Sequence, residues 1–492
     1  MKPCVALLAL AFAAACPPLA AQPEDSRIEF EQCDLQLPGT TVTAEARCGG
    51  FEVPENPAAP GGRQIRLHVA VAPARARTPE PDPLFFFAGG PGQAASEYWP
   101  VLRVALREVN RERDIVLVDQ RGTGRSNPLD CPMPDEALDD VLDLEFVRQW
   151  TAECRERLDA DLAQYTTPIA ARDFDLVREA MGYERINIAG VSYGTRMAQV
   201  YLRLFPERVR SVVLDSVAPM HLHLGAEHAV SLQQALHAVL ADCAADPDCA
   251  GRFPDLESRL DALTRSLRDA PRTLSVVHPV TGEIEPMLMD ADTLAVAVRM
   301  LAYQSQTQAM LPLLLHEATS DAQEGQRDPL ARLAQQALIV LQGLGEQISR
   351  GLELSVVCAE DLPGLQRDPA AADTLLGETM YDVMETQCAE WPAGTAPADF
   401  RAPVVSEVPV LLLSGERDPV TPPRYADRVA GHLPNSLHLV AAGQGHSVMG
   451  NACLREIVAE FVAEASVSGL DTGCVDDIQA SPYFTTLLGP EP

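Results

Sequence analysis

The chain of 492 residues is two to three times the usual domain length, so a compact core with a large insertion or second domain is expected. Apolar residues at 47% and charged residues at 22% exclude a disordered chain. Acidic residues outnumber Lys and Arg by 70 to 38, and the resulting charge of −32 repels phosphate backbones and anionic lipid, which argues against nucleic-acid and membrane-surface partners.

Residues 1–21 carry the pattern of an export signal. Lys2 is the basic start, Val5 to Ala15 is apolar throughout, and Leu19-Ala20-Ala21 offers small residues for cleavage before Gln22. That apolar run is too short to span a bilayer, and no later stretch is long enough, so membrane integration is not expected. Ala13-Ala14-Ala15-Cys16 faintly resembles a lipoprotein processing site but carries Ala where Leu is preferred, so anchoring at Cys16 is the less favoured alternative. The mature chain is expected in the periplasm or secreted. Of the 12 cysteines, Cys4 and Cys16 leave with the signal. The rest fall into neighbouring couples: Cys33–Cys48, Cys131–Cys154, Cys243–Cys249, Cys358–Cys388 and Cys453–Cys474. An even count in an exported chain reads as disulfides. No CxxC pair suggests a zinc or redox centre.

From Gln64 to about Ser216, apolar strands alternate with helical stretches. Gln64 to Ala72, Leu84 to Phe87, Ile115 to Val118, Ile186 to Ala189 and Val212 to Leu214 read as strands. Phe174 to Met181 reads as a helix opened by Asp173. Short apolar strands separated by helices predict a parallel sheet covered on both faces. Between Ala218 and Arg401 the strand signal nearly vanishes. His228 to Asp242, Asp255 to Arg268, Thr293 to Ala318 and Leu330 to Arg350 read as amphipathic helices, with a hairpin over Thr273 to Met289 turning at Thr281-Gly282. Strands return at Val410 to Leu413 and Leu437 to Val440. The core is therefore expected over residues 22–217 and 402–492, interrupted by a mainly helical cap over 218–401.

Gly190-Val191-Ser192-Tyr193-Gly194 is a G-x-S-x-G between a strand and a helical pattern, the setting of a sharp turn that exposes the serine hydroxyl. Tyr193 would offer its N–H to an oxyanion at the helix start. A serine nucleophile needs a base, and the base an orienting acid. Asp418 follows the strand ending at Leu413, and His446 lies in a Gly-rich loop after the next strand. Loops at the carboxyl ends of neighbouring parallel strands converge. Asp215 is a competing acid on an earlier strand, and Asp418 is preferred. Ala88-Gly89-Gly90-Pro91-Gly92 follows the Phe-rich strand, where Gly90 is the expected second oxyanion donor. Asp119 to Ser126 reads as a Gly-rich turn packing against that loop, and it lacks the pattern of a phosphate cradle.

These motifs resemble the tripeptidyl aminopeptidase and proline iminopeptidase family of α/β-hydrolases. The resemblance rests on Gly89 to Gly92, Asp119 to Ser126, Gly190 to Thr195, Val212 to Asp215, Gly415 to Pro422 and Gly445-His446. It implies a doubly wound, mostly parallel α/β-hydrolase sheet with a helical cap inserted before the last strands. It also implies an aminopeptidase acting on a free N-terminus without cofactor or metal, through Ser192, Asp418 and His446. The alternatives are a carboxylesterase taking small acyl esters and, more remotely, a non-catalytic binding module. Ala88 departs from proline iminopeptidases, which carry His there, and so favours the secreted tripeptidyl-like branch. Oligomeric state is left open.

Two cap features complete the expectations. A free-amine substrate needs a carboxylate to receive its ammonium group, and Glu360 and Asp361, beside the Cys358–Cys388 couple, are the candidate receivers. Their alternative is to cap a turn or face water. His221, His223 and His228 cluster in sequence without a completing acid or cysteine pattern, so they read as polar cap residues rather than a metal site.

Overall fold

The computed structural model describes residues 28–132, 142–279, 281–320, 328–345 and 347–490. The export-signal reading of residues 1–21 lies outside them. The strands are β1 (Glu31–Gln36), β2 (Thr43–Pro54), β3 (Gln64–Ala72), β4 (Leu84–Phe87), β5 (Ile115–Val118), β6 (Ile186–Val191), β7 (Val209–Asp215), the cap hairpin β8 (Arg272–Val277) and β9 (Ile284–Met289), β10 (Val410–Gly415) and β11 (Ser436–Ala441). Nine of them form one sheet in the order β1-β2-β3-β5-β4-β6-β7-β10-β11. The first three pair antiparallel and β3 meets β5 antiparallel; from β5 to β11 every pairing is parallel.

The central strands form because alternate residues find apolar cover on opposite faces. In β4, Phe85 and Phe87 enter one core with Phe174 and Tyr201. Leu84 and Phe86 enter the other with Trp99 and Leu102. Residues 229–340 build a third core of their own, with Leu236, Leu260, Val298, Leu314 and Leu333 at its centre.

The expected cap over 218–401 is not one packing unit. Leu352, Leu354, Val356, Cys358, Trp391 and Phe400 pack into the core under the sheet, whereas Ala371 and Leu376 between them pack into the cap core. In the opposite sense, Tyr483 and Phe484 of the C-terminal tail pack on the cap. All five expected disulfides are present. The widest loop, Cys358–Cys388, is worth about 3.6 kcal/mol by chain-entropy arithmetic. No helix among the described residues is long and apolar enough to cross a membrane.

Two helices differ from expectation, with visible causes. The helix read from Phe174 begins at Thr167, where Pro168 supplies its first-turn geometry. Asp173 is thus interior rather than a cap, and forms a buried two-point pair with Arg121 at 2.6 and 2.8 Å. The helix expected over Thr293 to Ala318 is broken into Ala291–Leu301 and Ser305–Ala318. At the break, the Ala302 carbonyl accepts from the Gln308 side chain and the Tyr303 carbonyl accepts from the His446 N–H.

Candidate active site

Ser192 sits between the end of β6 and the helix Tyr193–Leu204, at φ 56° and ψ −123°. A non-glycine residue holds such a backbone only when its surroundings enforce it. The Ser192 N–H donates to the Asp215 carbonyl at 3.0 Å. Gly194 has to be glycine, because a Cβ there would collide with the Phe87 carbonyl at the end of β4. The turn is therefore pressed against the loop after β4. A Cβ on Gly89 would lie 3.3 Å from that of Ser192, so this loop runs directly over the Ser192 turn. Gly90 is at φ +101°, open to glycine but strained for other residues. The backbone N–H groups of Gly90 and Tyr193 meet no acceptor among the described residues, which leaves them available to an oxyanion.

β6, β7, β10 and β11 are parallel neighbours, so the residues after them share one sheet edge. Asp418, after β10, accepts from His446 Nδ1 at 2.8 Å. Its other oxygen accepts the N–H groups of Val420 (2.8 Å) and Thr421 (2.9 Å), and the Thr421 hydroxyl donates to Oδ2 at 2.7 Å. With the Nδ1 proton given to Asp418, Nε2 of His446 carries the lone pair of a base. Burial opposes charge on both groups. Each nevertheless stabilises the other's charged form: Asp418 is held at about 2 by the His446 charge and these hydrogen bonds, and His446 is raised by the Asp418 charge and hydrogen bond.

Asp215 has a different task from the one weighed for it. Its carboxylate accepts the N–H groups of Val448 (3.0 Å) and Met449 (2.9 Å) and the Ser447 hydroxyl (3.2 Å). It anchors the loop that follows His446 through backbone donors, while its own carbonyl holds Ser192.

The cap grips the same loops from above. The His446 N–H donates to Tyr303 O at 2.7 Å, and the Tyr303 ring meets the imidazole edge-on at 5.5 Å. Ser305 Oγ accepts from the Gly445 N–H at 2.9 Å. Gln308 Nε2 donates to the carbonyl of Arg417, the residue before Asp418, at 2.9 Å. Thr421, Tyr303, Ser305 and Gln308 were missed in the sequence. Only Thr421, three residues after the acid, left a local signal.

Glu360 and Asp361 are buried in the core, which corrects the expectation that they receive an amine. The helix Arg350–Val356 widens into a π turn over Val357–Asp361 and carries both inward. Glu360 is 2% exposed and accepts from Thr167 N (2.6 Å) and Thr167 Oγ1 (2.7 Å), capping the helix that starts there. Asp361, fully enclosed, takes Arg196 Nη1 at 2.9 Å and the Leu224 N–H at 2.7 Å. Both are used inside the core. The clustered histidines also part company: His221 meets Arg428, His223 the Asp361 carbonyl, and His228 Arg299. The Asp119 to Ser126 turn does pack behind the oxyanion loop, with the Asp119 carboxylate accepting from Ser96 N and Oγ, both at 2.9 Å.

Residues 82–257 match the pattern of the alpha/beta hydrolase fold, and residues 373–474 that of TAP-like proteins. The chain is 34% identical over 223 residues to the tripeptidyl aminopeptidase of Streptomyces lividans, a stretch covering 40% of each protein. It therefore spans about two fifths of that relative's length. It is 25% identical to the serine protease Hip1 of Mycobacterium tuberculosis over 88% of both chains. It is 26% identical to carboxylesterase B of the same organism, over 90% of this chain and 89% of the relative. The sheet order, the strained serine turn and these matches give the chain the α/β-hydrolase fold, with likeness to TAP-like proteins over residues 373–474.

Proposed function

We propose that this protein is an exported serine peptidase that removes short peptides from a free N-terminus. The observation that carries the reading is the buried Asp418–His446 pair on the same sheet edge as the strained Ser192 turn. Ser192 Oγ attacks the scissile carbonyl while His446 Nε2 takes its proton, and Asp418 holds the imidazole and its developing charge. The oxyanion is received by the N–H groups of Gly90 and Tyr193. His446 then protonates the departing amine, and water repeats the sequence on the acyl-enzyme. Likeness to the tripeptidyl aminopeptidase and to Hip1 favours peptides as substrates. Five disulfides support an oxidising compartment outside the cytoplasm.

Likeness to a carboxylesterase along most of the chain supports a second reading, hydrolysis of small acyl esters. Two measurements decide. A fluorophosphonate probe should label Ser192, and absence of the adduct from folded protein would remove catalysis in favour of a binding module. Free-amine tripeptidyl anilides should then be cleaved faster than their N-acetylated forms and than short acyl esters. The reverse order would establish the esterase.

A further inference from the structure

One cap cation stands beside the catalytic histidine without a counter-charge. Arg299 lies in the last turn of the helix Ala291–Leu301. Its Nη2 is 3.4 Å from His228 Nδ1 and 3.1 Å from the Tyr303 hydroxyl, and its guanidinium carbon is 5.4 Å from the centre of the Tyr303 ring. That same ring packs on His446 at 5.5 Å. Arg299 Nε is enclosed without an acceptor, and no carboxylate among the described residues comes within ion-pair distance of the guanidinium. In a chain with 70 acidic residues, most enclosed arginines find one, as Arg121 and Arg196 do. Arg299 is half-buried rather than fully enclosed like those two, and a partly desolvated charge is still costly unless it is paired.

The groups in contact with Arg299 offer donors rather than negative charge, and the acids that act on Tyr303 from farther off, Asp418 and Glu353, already pair with His446 and Arg350. Burial, then the charge of Arg299, pushes the His228 pKa down to about 3, so this imidazole is neutral. With Nδ1 turned to Arg299 as acceptor, its proton sits on Nε2. The Tyr303 oxygen accepts from Arg299, which leaves its own proton to be given elsewhere. A guanidinium, a phenol and an imidazole N–H together complement an anion.

We propose that Arg299, assisted by Tyr303 and His228, receives a carboxylate of the substrate on the leaving-group side of the scissile bond. This rests on the peptidase reading above. The side follows from His446, which must face the departing amine to protonate it, and Tyr303 lies between His446 and Arg299. The Tyr303 ring is 5.5 Å from the imidazole and 5.4 Å from the guanidinium, and an extended residue advances about 3.3–3.6 Å, so the carboxylate sits within about three residues beyond the cleaved bond. Two sources supply that chemistry: the terminal carboxylate of a short peptide, or an Asp or Glu side chain in a longer one.

The test is calorimetric binding to Ser192→Ala protein, which separates recognition from turnover. One pair of ligands is Ala-Ala-Ala-Ala as free acid and as C-terminal amide. The other is Ala-Ala-Ala-Glu-amide and Ala-Ala-Ala-Gln-amide. At least one acidic partner should bind about 10- to 100-fold more tightly than its neutral twin, the range for hydrogen bonds to charged groups. The responding pair identifies the source. Adding Arg299→Gln should bring the ratio to near one, and Arg299→Lys should retain part of it. Equal binding within both pairs overturns the proposal, as does a preference that survives Arg299→Gln. Should Arg299→Gln not fold, the ratio in the Ser192→Ala protein and its fate in Arg299→Lys decide. N-acetylated versions test the parent reading separately: if acetylation does not weaken binding, recognition of a free N-terminus fails, while the acid-to-amide ratio stands or falls by itself.

Discussion

Gln308→Leu should distinguish a cap that merely covers the site from one that holds the catalytic loops in place. Gln308 is 2% exposed, and its Nε2 donates to Ala302 O at 2.6 Å and Arg417 O at 2.9 Å, while its Oε1 is enclosed without a donor. Leucine fills a similar volume but removes both donors. An unmet buried acceptor costs about 1–3 kcal/mol, so two would cost about 2–6 kcal/mol. Removing the orphaned Oε1 returns one such penalty, and the added apolar burial returns about 1 kcal/mol more. The net is a stability loss of at most about 2 kcal/mol.

The catalytic effect should exceed what that loss implies, because Arg417 is bonded in sequence to Asp418 and the same helix break holds the His446 N–H. A displacement of about 1 Å in such a group costs on the order of 100-fold. The kcat should therefore fall by about 10- to 100-fold, with KM changed by less than about 3-fold, since ground-state contacts are untouched. Steady-state kinetics on a tripeptidyl anilide, with thermal unfolding alongside, reads both quantities. An unchanged kcat with a lowered Tm would show that Gln308 is structural only and that the cap does not position the dyad.

Asp418→Asn should lower kcat by about 10⁴-fold, the scale expected when a base loses its orienting acid. In the native protein, activity requires neutral His446, whose pKa is raised above 6.5, so activity falls as pH drops through that raised value. The acid limb of the residual rate should move to lower pH in Asp418→Asn, and a limb that stays in place would refute the charge coupling. The depressed Asp418 pKa adds stability that is complete above about 3.8 and lost as pH falls towards about 2, readable as Tm against pH. Glu360→Gln should leave KM for free-amine peptides within about 2-fold. The Glu360 carboxyl is pushed up to about 7, first by burial, so the native fold loses stability as pH rises from 4.5 towards 7. Glutamine should flatten that part of the Tm curve. A KM rise for free-amine peptides, with ester hydrolysis unaffected, would restore Glu360 to amine recognition.

β4, β6, β7 and β10 were legible because each is an apolar run enclosed on both faces, which only a covered parallel sheet accommodates, and β11, half-buried at the sheet edge, was legible from its apolar stretch Leu437 to Val440. β1 and β2 were not. Their residues are Glu-Gln-Cys-Asp-Leu-Gln and Thr-Ala-Glu-Ala-Arg-Cys-Gly-Gly-Phe-Glu-Val-Pro, largely exposed or half-buried, poor in branched residues and interrupted by Gly49-Gly50. Ser192, Asp418 and His446 each announce themselves within a few residues, because a sharp turn or a Gly-rich loop has a local composition. Gln308 has no such mark. Its partner Arg417 is 109 residues away, and a glutamine in an amphipathic helix reads as surface.

Glu360 and Asp361 were misplaced for a related reason: two adjacent acids read as solvated or as a ligand site until their partners are known. A sequence signal for the partner did exist. Arg196 falls inside a helix whose residues from Tyr193 to Leu202 are all buried, packed directly behind the nucleophile turn. An arginine committed to that position requires an acid from elsewhere in the chain. Asp361 satisfies it, and Glu360, one residue earlier, caps the helix at Thr167, whose hydroxyl also meets the Tyr193 phenol at 2.7 Å. The two acids therefore brace the helix behind Ser192 from below, while Tyr303 and Gln308 hold His446 and Asp418 from above. The insertion thereby separates into a segment that supports the Ser192 turn and a segment that supports the His446 loop.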